Sequence, residues 1–76
     1  SANYGQIFSF SGKLAQQKPL TLETEGHPIQ LWSFEKLAKE KLFALKKGDK
    51  LSGYGYLSRY RGKWQLLIEN AKWLIE

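Results

Sequence analysis

The sequence contains 76 residues and carries a formal net charge of +5, from 12 Lys and Arg against 7 Asp and Glu. This length accommodates one hydrophobic core, so we expect a single domain over residues 1–76. The chain has no cysteine and one histidine, His27, which excludes disulfides, thiolate ligands and a multi-histidine metal site. No apolar run approaches the roughly 20 residues of a membrane-spanning helix. We therefore expect no cofactor, no metal and no membrane partner.

The positive charge and the aromatic content together indicate a polyanion-binding protein. A basic domain attracts nucleic acid, acidic lipid headgroups or acidic proteins, although surface lysines also serve solubility alone. With 3 Trp, 4 Tyr and 4 Phe, the chain has more aromatic rings than so small a core readily encloses. Some rings should therefore face solvent, where they can stack on bases.

The first strand is predicted over residues 6–14, where polar and apolar residues alternate. Phe8, Phe10 and Leu14 fall on its buried side. Gly12 marks a bulge or bend, which a small barrel needs in order to close.

Two further strands are predicted at residues 18–24 and 28–34, separated by a Glu-Gly turn. The third strand alternates in the same way as the first, so that its side chains divide between two faces. These faces hold Ile29 and Leu31 toward the core, and Gln30 and Trp32 on the other side.

A helix is predicted from about residue 35 to residue 47. Ser33 is expected to cap its N-terminus, and Gly48 is expected to end it. The residues at helical spacing, which should form the inner stripe, are Leu37, Ala38, Lys41, Leu42 and Leu45.

The last third of the chain predicts a fourth strand at residues 51–58, a hairpin loop at residues 59–63 and a final strand from Trp64 to about Ile75. The final strand should contain a bulge near Asn70, where its alternation changes phase. The fourth strand presents Leu51, Gly53, Gly55 and Leu57 on one face and Ser52, Tyr54, Tyr56 and Ser58 on the other.

The predicted order is thus three strands, one helix and two strands. A five-stranded Greek-key barrel with an α-helix between strands 3 and 4 is the OB fold. We therefore predict an all-β protein with one helix and this architecture.

The middle of the chain resembles bacterial single-stranded-DNA-binding proteins of the SSB type. Three ordered runs carry the resemblance: H-P-I-Q-L-W at residues 27–32, K-L-A at residues 36–38 and L-K-K-G at residues 45–48. That family has H-x-I-x-L-aromatic on strand three, a helix that opens K-L-A, and L-K-K-G before strand four. Residues 12–14 and 55–57 also stand where the family has G-R-L.

The resemblance implies an OB fold and single-stranded DNA binding in replication, recombination or repair, in the bacterial cytoplasm at the nucleoid or in the plastid stroma. This sequence departs from the family at Gly26, where a tryptophan usually precedes the histidine. It also lacks the long hairpins and the acidic, Phe-ended tail. It looks more like compact relatives such as the dimeric primosomal replication protein B group or the plastid and cyanobacterial SSB-like proteins, so a homodimer is favoured over a tetramer.

Single-strand binders need flat rings for bases and cations for phosphates. Trp32 is the first candidate, because it lies out of phase with the core residues and matches an aromatic position that the family uses for stacking. Its alternative roles are packing under the helix or in a dimer interface. Tyr54 and Tyr56 share one face of strand four and serve equally well as stacking residues or as a dimer contact.

The loop after strand four supplies a second group of candidates. Tyr60 lies between Arg59 and Arg61, a pattern that suits the clamping of a strand. Lys63 and Trp64 extend this patch, although Trp64 shares the parity of core residues and is alternatively buried.

Three more candidates lie outside that loop. Lys13 and Lys18 border the turn after strand one and are expected to contact the phosphate backbone. His27 either binds a phosphate or base edge, as the resemblance favours, or is an ordinary surface histidine. Phe34 and Trp73 are expected to be core or cap residues.

The acidic residues show no paired spacing for acid–base catalysis, and the sequence contains no P-loop or nucleophile motif. We therefore expect a protein that is not an enzyme and whose partner is single-stranded DNA. The alternatives are a protein-interaction or dimerisation module within a larger assembly and a single-stranded RNA binder. The RNA alternative ranks lower, because the chain lacks the aromatic motifs of RNA-binding OB domains.

Overall fold

A computed structural model describes residues 5–75 of the chain, so residues 1–4 and 76 of the predicted domain lie outside the described part. The elements follow in chain order: β1 Ile7–Gln17, β2 Leu20–Thr24, β3 His27–Trp32, α1 Lys36–Phe43, β4 Lys50–Tyr60, β5 Lys63–Leu67, a 3-10 helix Ala71–Trp73 and β6 Leu74–Ile75.

The first five strands form a closed barrel. They are hydrogen-bonded in the order β1-β2-β3-β5-β4, and β4 pairs again with β1 to close the ring. Every neighbouring pair is antiparallel except β3 and β5, which run parallel. The helix α1 connects β3 to β4. This architecture confirms the predicted OB-like fold.

The core consists of residues that alternate along the strands, as predicted, together with two positions of the helix. The buried hydrophobic residues are Phe10, Leu14, Leu20, Leu22, Leu31, Ala38, Leu42, Leu51, Leu57, Leu66, Ile68 and Leu74. Phe8 and Ile29 are partly buried against them. Because the core takes every second residue of each strand, the intervening residues face outward and are available for binding.

The bend in β1 differs in detail from the predicted bulge at Gly12. The register with β2 shifts between Leu14 and Gln16, so the irregularity lies two to four residues later. Gly12 instead marks a close approach of two strands, because a Cβ atom there would collide with the backbone carbonyl of Glu23. The absence of a side chain lets β2 cross β1 closely at this point.

The turn between β4 and β5 is shorter than the predicted loop. Tyr60 pairs with Lys63, so the connection consists of Arg61 and Gly62 alone. Their φ angles are 51° and 79°, the positive values that a type I′ hairpin turn requires. Residues 25 and 26 connect β2 to β3, and their φ angles are likewise positive, at 50° and 82°. The basic segment after strand four is therefore a tight hairpin end.

The helix is shorter than predicted, since it ends at Phe43. Residues 46–49 turn instead toward β1, where the Gly48 amide donates to the carbonyl of Leu14 at 2.8 Å. The prediction also placed Leu37 on the inner stripe of the helix, but its side chain is 61% exposed. Lys41, predicted on the same stripe, is exposed as well. The inner face is narrower than helical spacing suggested, since the helix covers only one end of a small barrel.

The helix is capped by Glu35 where Ser33 was predicted. The Glu35 carboxylate accepts the amide hydrogens of Leu37 at 2.8 Å and Ala38 at 3.3 Å. Ser33 is fully buried and donates its hydroxyl to the carbonyl of Ile68 at 2.5 Å. Ser33 therefore links the chain just after β3 to the chain just after β5. The longer side chain of Glu35 caps the helix in its place.

The predicted last strand is interrupted. After β5, Asn70 caps the 3-10 helix by accepting the Lys72 amide at 2.9 Å, and the short β6 then pairs with β4. The phase change near Asn70 therefore reflects this helical turn, where a bulge was predicted. Trp73 is half-buried against the core, as predicted.

Glu35 also links the two ends of the fold, because its carboxylate accepts the Ala71 amide at 3.0 Å. The backbone hydrogen bond from Leu37, together with those from Ala71 and Ala38, lowers the pKa of this carboxyl below its ordinary value of 4.5, while desolvation opposes the shift. A lowered pKa means that the charged form stabilises the folded state above pH 4.5. That contribution is lost as the pH falls through the folded-state pKa.

We expect Glu35→Gln to unfold at lower urea concentration than the wild type at pH 7, with a smaller difference at pH 3. At pH 3 the carboxyl is protonated in the unfolded chain, so the wild type has lost part of the stability that the charged form provides above pH 4.5. Urea unfolding followed by tryptophan fluorescence measures both differences. Glu40→Gln, on the exposed side of the same helix, controls for the loss of one negative charge. A difference as large at pH 3 as at pH 7 would contradict this role for the carboxylate.

Gly53 lies where the 3-10 helix crosses β4, and a Cβ atom at this position would collide with the backbone carbonyl of Trp73. Because backbone atoms cannot rotate away, Gly53→Ala should destabilise the fold by about 1–3 kcal/mol. Ser11→Ala, at an exposed position on β1, is the matched control. Equal thermal unfolding temperatures for the two variants would contradict this prediction, because the backbone would then accommodate the added Cβ atom without loss of stability.

Candidate nucleic-acid interface

A surface groove of about 580 Å³ runs over the outer face of β3 and β5. Its walls are the turn after β1, the end of the helix and the end of β4. Four aromatic rings line it: Trp32, Phe34, Phe43 and Tyr60. The groove lies on the sheet face that OB folds commonly use for oligonucleotides.

Trp32 is half-buried in one wall of this groove. Its ring meets Phe34 at a centroid distance of 6.5 Å and Phe43 at 6.0 Å, with both rings nearly perpendicular to the indole. The Lys39 ammonium lies 5.5 Å from the indole centroid. Trp32 therefore packs against the helix, which was one of its alternative roles. It also lines the groove, as a residue that stacks on bases must.

Tyr60 belongs both to the groove and to the basic hairpin of β4 and β5. It is 57% exposed, and the guanidinium of Arg61 lies 5.3 Å from its ring centroid. Arg59 stands over the ring of Trp64 at 4.6 Å and donates to the carbonyl of Gly62 at 3.2 Å. Each arginine thus lies against a ring, a contact that holds the cation in place, and of the two rings only that of Tyr60 lines the groove.

Trp64 lies on the inward-facing side of β5, as its parity predicted, but it is 42% exposed because it stands at the end of the strand. Lys63 is exposed and pairs with Tyr60. These two residues therefore extend the basic hairpin. The structure brings together Arg59, Tyr60, Arg61, Lys63 and Trp64, the group that the sequence predicted.

The charge of the groove is positive. Lys18 lines it from the turn after β1, and none of the described residues that line it is acidic. The amide of Gln17 donates to the carbonyl of Leu45 at 2.7 Å, which holds this turn against the end of the helix. A phosphate approaching the groove would therefore meet Lys18 on one side and, next to Tyr60, the guanidinium of Arg61 on the other.

A row of polar residues crosses the floor of the groove and continues beyond it. Four polar residues lie in register across four neighbouring strands: Thr21, Gln30, Gln65 and Ser58. Trp32 lies two residues beyond Gln30 on β3. Tyr60 lies two residues beyond Ser58 on β4, which runs antiparallel, so the two aromatic residues flank the row from opposite sides.

Tyr54 and Tyr56 lie on a different surface, the outer face of β1 and β4. Tyr54 is 47% exposed and pairs with Ser9 of β1. Tyr56 is half-buried, and its ring lies 5.5 Å from that of Trp73. Neither tyrosine lines the groove that contains Trp32.

Lys13 and His27 also lie apart from the groove. Lys13 is exposed on β1, in register with Lys50 of β4 and Glu23 of β2. His27 is exposed at the turn between β2 and β3, where its carbonyl accepts the hydroxyl of Thr24. Of Lys13, Lys18 and His27, only Lys18 lines the groove.

Sequence reasoning missed two aromatic walls of the groove. Phe34 was predicted to be a core or cap residue, but it is 78% exposed, because the chain leaves the barrel after Ser33. Phe43 is half-exposed at the last turn of the helix. A signal existed for Phe43, since it falls outside the predicted inner stripe and yet is a large apolar residue.

Comparison of the chain with protein-family models, curated proteins and solved structures gives no match. The OB-like fold therefore stands on the barrel itself, and the SSB-type resemblance remains one of sequence motifs. Within residues 5–75, no helix combines the length and the apolar character needed to cross a bilayer.

Proposed function

We propose that this protein binds single-stranded DNA without catalysing a reaction, and that the strand lies along the groove between Trp32 and Tyr60. The observation that supports this most is that the groove rings of Trp32 and Tyr60 each lie near a cation, and that no acidic side chain among residues 5–75 lines the groove. Rings accept bases of any sequence by stacking, and each stacked base contributes about 1–3 kcal/mol.

The cations around the groove supply the backbone contacts. Lys18 lines the groove on one side, and the hairpin carries Arg61 and Lys63 next to Tyr60 on the other. Three such phosphate contacts would give a salt dependence of binding with a slope of roughly −2 for a single strand. The net charge of +5 would also attract the negatively charged strand toward the protein and so speed its association.

The preference for DNA over RNA, and a role in replication, recombination or repair, come from the SSB-type resemblance. Physical chemistry alone accepts either polymer in the groove, because both present bases and phosphates. Parallel titrations with oligo-dT and oligo-rU separate them, since only the ribose carries a 2′-hydroxyl. Tighter binding of oligo-rU would turn the assignment to RNA. The same resemblance locates this activity in the bacterial cytoplasm or the plastid stroma.

The decisive experiment is a fluorescence titration with oligo-dT at ~50 mM salt and at higher salt. Trp32→Ala and Tyr60→Ala should each weaken binding by about 1–3 kcal/mol, because each removes one stacking ring. Tyr54→Ala is the matched control, as it removes an exposed tyrosine from the other face. Lack of binding at micromolar protein, or equal losses in Tyr54→Ala and Tyr60→Ala, would contradict the proposal. Thermal unfolding of each variant confirms that it is folded.

We propose further that the outer face of β1 and β4 binds a second copy of the chain. Most of its outward residues are uncharged, and Lys13 and Lys50 lie at one end of the face; the uncharged ones are Ile7, Ser9, Ser11, Ser52, Tyr54 and Tyr56. Ile7 and Tyr54 are 56% and 47% exposed, and Ile75 beside them is 50% exposed. Two copies that each carry +5 repel least where they meet through this uncharged part of the face, away from Lys13 and Lys50.

Sedimentation or light scattering should therefore show a dimer of the wild type. Tyr54→Asp should be monomeric, because two carboxylates would face each other across a two-fold contact. Tyr60→Asp introduces the same charge on the groove side and should leave the dimer intact. A wild type that is monomeric up to its solubility limit would refute this second proposal and leave DNA binding in the groove untouched.

A further inference from the structure

The floor of the groove contains two glutamine side chains that the stacking of bases does not use. Gln30 and Gln65 lie on neighbouring parallel strands, directly in register and on the same outward face. Strands of one sheet are separated by about 4.8 Å, so the two side chains start from adjacent points. Each amide offers one acceptor oxygen and one donor nitrogen.

Gln65 combines deep burial with an open amide. The residue is 9% exposed, yet no hydrogen bond to its amide group is found within residues 5–75. Among those residues, every fully enclosed side-chain nitrogen or oxygen has a hydrogen-bond partner. The polar atoms of Gln65 must therefore reach solvent, and they do so where the residue lines the groove.

The third glutamine of the groove behaves differently. Gln17 donates to the carbonyls of Leu45 and Phe43 and so serves to hold the wall in place. Gln30, like Gln65, has no hydrogen bond to its side chain among the described residues, and it is half-buried. Both amides therefore open into the groove, where water completes their hydrogen bonds until a ligand with matching donors and acceptors takes its place.

The two aromatic residues leave space for a base at this point. Trp32 and Tyr60 stand two residues to either side of the glutamine row, which separates them by about 13 Å along the strand direction at 3.3 Å per residue. Nucleotides in a stacked strand follow one another at about 3.4 Å. A strand with bases on both rings therefore has at least one further base above Gln30 and Gln65.

Adenine is the base that two adjacent amides fit together. Its exocyclic N6 amino group has two hydrogens and lies between two ring acceptors, N7 and N1. A glutamine binds the N6 and N7 pair through two hydrogen bonds, and a second glutamine can bind the N6 and N1 pair in the same way. In cytosine the amino group has a ring acceptor on one side only, and guanine and thymine place a ring N–H beside their carbonyl groups.

We propose that Gln30 and Gln65 form an adenine-recognition subsite in the floor of the groove, which gives the strand-binding surface a base preference. This inference rests on the proposed binding of single strands in the groove. It adds that the base between those stacked on Trp32 and Tyr60 is recognised by its hydrogen-bonding edge.

The test compares the affinity of the full chain for three hexamers, dA6, 7-deaza-dA6 and dT6, by fluorescence anisotropy. The 7-deaza base keeps the stacking surface and the amino group but has no N7 acceptor. The wild type should bind dA6 roughly 5- to 50-fold more tightly than 7-deaza-dA6, because the lost bond leaves a nearly buried amide donor unpaired. Gln65→Leu, of similar size, should reduce this preference to about one, and its affinity for dT6 reports any general loss of strand binding in the variant.

Gln30→Leu, at a less buried position, should reduce the preference as well, and it keeps the test valid if Gln65→Leu does not fold. Gln6→Leu, outside the groove and before β1, is the matched control and should retain the full preference. Equal affinity of the wild type for dA6 and 7-deaza-dA6, with tight binding of both, overturns the adenine subsite and leaves strand binding intact. A preference that survives in both groove variants also overturns it. Binding to none of the three hexamers contradicts the proposed function itself.

Discussion

Seven backbone pairings between β1 and β4, from Ile7 with Tyr56 to Lys13 with Lys50, hold this barrel closed. A domain of this size buries a modest share of its surface, so it depends on closure to satisfy its strand edges. Gly12 lets β1 and β2 approach at very short distance, and Gly53 lets the 3-10 helix approach β4, because neither residue carries a Cβ atom. The core and both outer faces follow from this ring, since closure decides which side of each strand faces inward.

The division of the outer surface into two chemically different faces is a consequence of that ring. The face over β3 and β5 collects rings, amides and cations, whereas the face over β1 and β4 carries mainly hydroxyls and apolar groups, with Lys13 and Lys50 at one end. Both faces consist of residues that alternate with the core, so neither face reduces the packing inside. A small protein can in this way carry two binding surfaces on one layer of side chains.

The alternation of apolar residues was enough to predict the barrel, the outward position of Trp32 and the basic hairpin around Tyr60. These features depend on local period and turn chemistry, which a single sequence contains. The end of the helix was predicted wrongly because a long-range bond from Gly48 to Leu14 decides it. The groove walls at Phe34 and Phe43 were missed for a similar reason, since their exposure depends on how far the helix covers the barrel.

The two-residue turn at Arg61 and Gly62 has a consequence for the rate at which a ligand could be captured. Because Arg59 and Arg61 already lie against rings, their side chains have lost much of their rotational freedom before any ligand arrives. Immobilising such a side chain on binding ordinarily costs about 0.5–1.5 kcal/mol. Here folding has already met part of that entropic cost, so an encounter can become a complex without waiting for a loop to order.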